Sequence, residues 1–190
     1  AYGLLCSLML GVPSGWAQQM GEAVGIEGTV EFLRAPATTW ATLARRGDIV
    51  RLDQLRTQSR SKLDVLLQTG HKFVLSENVE ISIAEQPTPP SGSRISLLLA
   101  RGSVRVVTSG RPGTSIVTRT PTGQAMARST GFIVSCGPPE TASLDVCLFV
   151  GLYGQIEVES LASPGSSVVV HPQFFTLVAR NQLPTPPQRL

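Results

Sequence analysis

Hydrophobic and polar residues alternate with a period of two along most of the chain from Val24 onward. This alternation is typical of β-strands, in which successive side chains point to opposite faces. Turn-forming residues border most of these stretches, and long helical periodicity is missing. Clear examples are residues 63–67, 79–83, 95–99 and 104–107. The pattern predicts an all-β domain, a jelly-roll-like sandwich of two sheets with about ten to twelve short strands.

One short phrase occurs three times, as EGTVEF at residues 27–32, RGSVRV at 101–106 and YGQIEV at 153–158. In each copy a glycine ends a turn and opens a strand, and the second and fourth residues after it are apolar. Glycine allows the positive φ that a sharp corner requires. The irregular spacing of the copies excludes a solenoid of fixed period. Gly28, Gly102 and Gly154 are therefore predicted to lie at equivalent corners of a two-sheet structure.

Three segments depart from this pattern. Residues 38–46 (TTWATLARR) resemble two turns of helix, with Gly47 as a C-terminal stop. Residues 85–93 (EQPTPPSGS) are predicted to form an exposed loop between two groups of strands. The proline-rich segment 184–190 is expected to be a flexible tail, with a tether or a polyproline ligand as alternatives. The strands on both sides of the loop are assigned to one domain, residues 21–183.

Residues 3–12 form an apolar run that Pro13, Ser14 and Gly15 interrupt. A membrane-spanning helix needs about 20 apolar residues, so the run has instead the length of a signal-peptide core. The small residues Gly15 and Ala17 suit a cleavage site. Residues 1–17 are therefore predicted to be a signal peptide, and the protein to be periplasmic or secreted. The alternative is an apolar N-terminal helix packed on the domain, and a membrane contact is expected only if this segment stays uncleaved.

The chain has 190 residues, of which 15% are charged, and a formal net charge of +3. Its densest basic run comprises Arg45, Arg46, Arg51, Arg56, Arg60 and Lys62. Nucleic-acid binding is not predicted, because no aromatic residue interrupts the run. The run is interpreted as a solvated surface or as an interaction surface for an acidic protein. An exposed sheet edge is a second place where a protein partner can bind.

Candidate chemistry is sparse. The two histidines, His71 and His171, lie far apart, and His71 is expected to be exposed in a turn. No metal-ligand spacing, nucleophile elbow or phosphate-binding loop is present. No catalytic residue, metal or cofactor is therefore predicted, and an enzyme is the third choice of function class.

Cys136 and Cys147 are predicted to face each other on neighbouring strands. If these two residues pair, Val134 lies opposite Phe149 and Phe132 lies opposite Gly151, which gives one coherent apolar face. In an oxidising compartment such a pair is a disulfide candidate. The alternative is a pair of buried thiols.

The segment TRTPTGQAMARSTGFIV, residues 118–134, resembles the signature of the FecR domain family. The matching positions are Thr120, Pro121, Gly123, Arg128, Thr130 and Phe132. Segments 28–83, 99–104 and 153–158 resemble other parts of the family in the same order, so the resemblance covers about residues 25–184. Ser129 and Gly131 depart from the motif, as do residues 171–173.

The resemblance implies a jelly-roll-like domain in the bacterial cell envelope. In iron-uptake regulators, such domains form the periplasmic half of a transmembrane anti-sigma regulator that responds to a TonB-dependent receptor. Other members are exported on their own. The leading hypothesis is thus a non-enzymatic, exported FecR-like module for protein interaction or signalling, with another envelope protein as partner. The alternatives are a carbohydrate- or peptidoglycan-binding module and the periplasmic part of such an anti-sigma regulator.

Overall fold

The computed structural model describes residues 19–88, 92–137 and 146–190, and all regular structure in these residues is β. The predicted signal peptide, residues 1–17, lies outside the described residues. The all-β sandwich predicted from the sequence is confirmed. The described part of the chain contains 17 strands rather than about ten to twelve. The additional strands are mostly pieces of two to four residues, which are too short to show an alternating pattern.

Two sheets make up the fold and share one long strand. Sheet A contains, in spatial order, β4 (Asp48–Val50), β1 (Gln19–Glu27), β6 (Lys62–Leu67), β7 (Lys72–Leu75), β9 (Gly92–Val107), β12 (Gly131–Cys136), β13 (Val146–Tyr153), β16 (Phe174–Ala179) and β17 (Gln188–Arg189). Sheet B contains β3 (Ala41–Thr42), β2 (Val30–Leu33), β5 (Gln54–Thr57), β8 (Glu80–Thr88), β9, β10 (Thr114–Arg119), β11 (Gly123–Ala127), β14 (Ile156–Ser160) and β15 (Ser167–Val170). These pairs are antiparallel except for β9 and β10, which are parallel.

Strand β9 passes from one sheet to the other at Gly102. Its first part, up to Arg101, pairs with β8 and β10 in sheet B, whereas the part from Gly102 to Val107 pairs with β7 and β12 in sheet A. Gly102 has a φ of +89°, and a Cβ atom there would lie 2.8 Å from Cα of Val79 and 2.9 Å from the carbonyl oxygen of Asn78. Glycine is required at this position both by the backbone conformation and by the lack of space.

Every passage between the sheets in the described part of the chain contains a residue with positive φ. These residues are Gly28, Arg46, Leu52, Arg60, Asn78, Gly102, Gly110, Gly113, Ser129, Gly154 and Gln173. The three glycines of the repeated phrase are among them, so the interpretation of these glycines as equivalent corners is confirmed. The apolar residues that follow them, such as Val30, Val104 and Ile156, are buried between the sheets.

Hydrogen bonds join neighbouring corners. The backbone N–H of Gln58 donates to the carbonyl of Thr29 at 3.0 Å, and the N–H of Asn78 donates to the carbonyl of Gln58 at 3.4 Å. The hydroxyl of Thr57 donates to the carbonyl of Ser76 at 2.6 Å and accepts from the N–H of Val79 at 2.9 Å. The polar groups that the strands leave free at the corners are thus satisfied by the next corner.

The core fills the space between the sheets. Its largest fully buried side chains include Phe73, Phe132 and Phe149, which come from sheet A, and Leu55, Ile81 and Leu97, which come from sheet B. These inward positions alternate with outward ones along each strand, as expected for a sandwich. The core is one continuous cluster that contains residues from both halves of the chain.

The helix predicted at residues 38–46 is wrong. Residues 41 and 42 form β3, and the N–H of Leu43 donates to the carbonyl of Val30 at 2.8 Å. Leu43 is buried, and the ring of Trp40 packs against Arg56 of β5. These contacts with distant residues favour the extended backbone over the weak local preference for a helix.

The other two segments that break the alternating pattern, residues 85–93 and 184–190, also differ from their predicted structure. Of the predicted loop at residues 85–93, residues 85–88 and 92–93 are strand, since β8 continues to Thr88 and β9 begins at Gly92, whereas residues 89–91 lie outside the described residues. The segment 184–190, predicted to be flexible, carries β17, which pairs with β16. The hydroxyl of Thr185 also accepts a hydrogen bond from the N–H of Leu177 at 3.0 Å. Backbone pairing, which the proline content concealed, holds both segments.

Replacing Gly102 by alanine tests the corner of β9, and Gly165→Ala is the matched control. Both glycines have a φ of +89°, but a Cβ at Gly165 meets nothing within 4 Å. We expect Gly165→Ala to cost about 1–2 kcal/mol of unfolding free energy from backbone strain alone. Gly102→Ala should cost about 1–3 kcal/mol more, because the added Cβ also pushes Asn78 and Val79 away from position 102. Urea unfolding measures both, and equal losses would contradict the steric role of the corner.

Candidate functional site

The first half of the family motif forms the tight turn between β10 and β11. The hydroxyl of Thr120 donates to the carbonyl of Gly123 at 2.9 Å and accepts from the N–H of Gly123 at 3.0 Å. A Cβ on Gly123 would lie 2.8 Å from the carbonyl oxygen of Glu159. Thr120 and Gly123 thus have a structural role that their burial and geometry explain, and Pro121 is exposed in the turn that they form.

The second half of the motif forms the corner between β11 and β12. Thr130 is buried, and its N–H donates to the hydroxyl of Thr108 at 2.6 Å. Phe132 lies fully within the core. The ring of Tyr153 lies directly over Gly131, so that no side chain fits there. Arg128 differs from Thr130 and Phe132, because its side chain is exposed on the outer side of the corner.

The basic run of the sequence is not gathered into one patch. Arg45 and Arg46 lie at the corner before β4, whereas Arg51 and Arg60 lie at opposite ends of β5, and Lys62 begins β6. A partner that contacted the whole run would have to reach both ends of β5. The positions of these residues therefore give no geometric support to the prediction that the run forms one interaction surface.

Arg56 is engaged within the fold. Its Nε lies 2.7 Å from Oε2 of Glu31, and its guanidinium lies 4.1 Å from the centroid of the Trp40 ring. The pKa of Glu31 is lowered, first by this hydrogen bond from Arg56 and then by one from Gln58. The Arg56 side chain thus holds the β3 segment against β5.

A groove of about 780 Å³ lies on the outer face of sheet B, in the second half of the chain. We call it the sheet B groove. Its lining residues are Arg94, Ser115, Ile116, Val117, Met126, Ala127, Arg128, Gly154, Gln155, Ile156, Glu157 and Val169. A smaller depression of about 120 Å³ continues it toward Arg119 and Gln124.

The floor of the sheet B groove is a row of residues that face one another across five strands. Ser96 of β9 lies opposite Val117 of β10, which lies opposite Met126 of β11. The row continues through Glu157 of β14 to Val169 of β15. Met126 and Val169 are exposed, with 39% and 46% of their surface accessible, whereas Val117 at the bottom is 7% accessible. Apolar side chains thus form most of an open floor.

Two acidic residues lie at the β14 side of this face. An oxygen of Glu157 accepts a hydrogen bond from the hydroxyl of Ser167 at 2.6 Å. Glu159 accepts from the N–H of Gly165 and from the Gln124 amide, and these bonds, in that order, lower its pKa. Gln124 in turn accepts from Nε of Arg119 at 3.3 Å. The groove is therefore basic over β9 to β11 and acidic over β14.

The sequence did not single out Arg94, Val117, Met126 or Val169. Each follows the outward phase of its strand, and no feature of the sequence shows which strands become neighbours. The available signal was the presence of Val117, Met126 and Val169 at positions where the alternation calls for polar residues.

The cysteine register is the one predicted. Cys136 lies opposite Cys147, Val134 opposite Phe149 and Phe132 opposite Gly151. The two cysteine sulfurs are joined as a disulfide, with the Cα atoms 4.3 Å apart. The predicted turn between these strands falls at residues 137–140, of which 138–140 lie outside the described residues.

The prediction that His71 is exposed is wrong. Its side chain is 1% accessible, because the loop after β9 folds over the hairpin turn that contains it. Nδ1 accepts a hydrogen bond from the N–H of Ser109 at 2.9 Å, while Nε2 is buried without a partner in the described residues. Burial lowers the pKa of His71, and the charge of Arg111 lowers it further. The ring is therefore held in its neutral form. His171 is exposed, with Nδ1 at 3.1 Å from the Gln155 amide.

Within residues 19–88, 92–137 and 146–190, no group of three or more histidine, cysteine, aspartate or glutamate side chains is placed to hold a metal ion. The same residues include no helix that is long and apolar enough to span a membrane.

No family model and no curated protein matches the chain. Two crystal structures, both described as a candidate anti-sigma factor from Parabacteroides distasonis, are similar in fold, with TM-scores of 0.55 and 0.56 and 14% sequence identity. In each, the likeness covers 72% of this chain and 59% of the other. This chain thus matches about three fifths of the length of those proteins. At this identity the likeness establishes a shared fold alone.

The disulfide predicts a measurable difference in mass and stability. Intact protein should be lighter by two hydrogen atoms than protein reduced under denaturing conditions, because the thiols are oxidised. Replacing both cysteines by alanine should lower the unfolding free energy by about 2–4 kcal/mol. Two titratable thiols in the untreated protein would contradict the assignment.

His71 predicts a loss of stability in mild acid. Because its pKa is lower in the folded state than its ordinary value of 6.5, the unfolded state takes up a proton first as the pH falls. The contribution to stability is complete above pH 6.5 and decreases as the pH falls through 6.5 toward the folded pKa. Urea unfolding of wild type and His71→Asn at a series of pH values from 6.5 downward should show a steeper decline in unfolding free energy for wild type. Parallel curves would contradict the neutral, buried histidine.

Proposed function

We propose that the chain is a non-enzymatic, FecR-like interaction module of the bacterial cell envelope. The observation that carries the proposal is the sheet B groove, an open depression with an apolar floor and arginines at its border. Met126 and Val169 have exposed apolar surface in this depression, where a monomer gains nothing from leaving it uncovered. The similar fold of a candidate anti-sigma factor supports a regulatory role.

The disulfide supports export. Disulfides persist in the periplasm and outside the cell, whereas cytosolic thiols are kept reduced. Cys136 and Cys147 lie at the ends of paired core strands, where the bond constrains the sandwich without serving a visible catalytic role. Together with the signal-like residues 1–17, this bond favours a periplasmic or secreted location.

A protein partner fits the sheet B groove better than a glycan. Sugar-binding sites stack aromatic rings on the sugar faces, and no aromatic side chain is among the described residues that line this groove. Trp40 packs on Arg56, and Tyr153, although 43% accessible, lies over Gly131 and does not line the groove. The charges and exposed aliphatic side chains match the mixture found in protein interfaces.

The likeness to a candidate anti-sigma factor favours a second candidate, the periplasmic part of a transmembrane anti-sigma regulator. The two candidates differ in how the protein is held in the cell. A stand-alone module is released with the periplasm and begins near Gln18, whereas a regulator stays with the membrane and keeps an N-terminal anchor.

Site-directed photo-cross-linking in fractionated cells tests the proposal. A photoreactive residue replaces either Met126 on sheet B or Leu66 on sheet A, and both positions are 39% accessible. We expect a discrete cross-linked protein partner from Met126, in the periplasmic fraction. A partner at Leu66 alone would preserve the interaction function but place it on the other face. Retention by purified peptidoglycan with no protein partner at either position would contradict the proposal.

A further inference from the structure

We propose that the sheet B groove binds an extended, acidic peptide segment that lies across β9, β10 and β11. This inference rests on the proposed function, because it names the chemistry of the partner at the site described above. The segment would place acidic side chains against Arg94 and Arg128 and apolar side chains on the floor of Val117 and Met126.

The basic border of the groove is not neutralised by the fold. Within the described part of the chain, Arg34, Arg56 and Arg101 each have a carboxylate partner, at 2.7, 2.7 and 3.4 Å. Arg94 and Arg128 make no ion pair in these residues, although both line the same depression. Guanidinium groups beside an apolar, concave surface favour carboxylates, which they bind through paired hydrogen bonds.

The distribution of charge fixes where the acidic residues of the peptide lie. Glu157 interrupts the floor row between Met126 and Val169, and it would repel a carboxylate there. Arg119 lies on the other side of the floor from Arg94, so arginines border the β9–β11 part of the floor on both sides. Acidic residues are therefore expected over β9 to β11, and uncharged or basic residues over β14 and β15.

The dimensions suit a short extended segment. Five adjacent strands span about 19 Å at the usual spacing of about 4.8 Å between strands, and six extended residues span about 20 Å. The exposed floor includes Met126, whose flexible side chain adapts to different apolar partners. Alternation of acidic and apolar residues in the part of the peptide over β9 to β11 would satisfy the border and the floor at once.

Labelled peptides test the inference with the full chain. The probes are Gly-Glu-Val-Glu-Leu-Ser-Gly, with its glutamates confined to one half, and the same sequence with lysine, or with serine, in place of glutamate, and fluorescence anisotropy gives each Kd. We expect the acidic peptide to bind at least about tenfold more tightly than the serine peptide, with an affinity that falls as salt is added. The variant R94E/R128E should lose this preference and bind the lysine peptide instead.

Arg105→Glu is the matched control, because Arg105 lies on the same strand, β9, but is exposed on the outer face of sheet A. It should leave the Kd of the acidic peptide unchanged. Equal binding of all three peptides, or equal loss with R94E/R128E and R105E, would overturn the inference. Equal competition by heparin and by polyglutamate would also overturn it, because a peptide-specific site distinguishes them. If the cellular partner still cross-links to R94E/R128E, the acidic-peptide inference fails while the proposed function stands.

Discussion

The fold depends on the residues that turn the chain from one sheet into the other. At each of these corners a residue takes up positive φ, a conformation that costs most residues about 1–2 kcal/mol and glycine very little. Gly28, Gly102 and Gly154 therefore lie where the repeated phrase occurs. Other corners use Asn78 or Ser129, and their neighbours supply the hydrogen bonds that hold them. Once these corners are formed, only one face of each strand can point into the core between the sheets.

The inner face of the sandwich could be predicted from the sequence, because most inward positions are apolar. The register of β12 and β13 follows once Cys136 is paired with Cys147, because that pair places Val134 opposite Phe149 and Phe132 opposite Gly151. The corner glycines were equally visible, since positive φ restricts the choice of residue. Local rules of this kind extend over one strand or one hairpin at a time.

Features formed by distant segments could not be predicted in this way. His71 is buried by a loop that follows about forty residues later, and nothing in its own hairpin indicates that cover. The helix expected at residues 38–46 is absent because β2 supplies the hydrogen bonds. The sheet B groove combines β9 to β11 with β14 and β15, and the order of these strands follows from the topology rather than from any local pattern.

Strand β9 gives the two halves of the chain a shared element. Strands β1 to β8 lie on one side of it in both sheets, and strands β10 to β17 lie on the other side. In both sheets β9 lies between the two halves, so melting of that strand would leave an unpaired strand edge on each half. We therefore expect the two halves to unfold together, as one cooperative unit. A ligand in the groove, which contacts β9 through Arg94, would stabilise strands that it never touches.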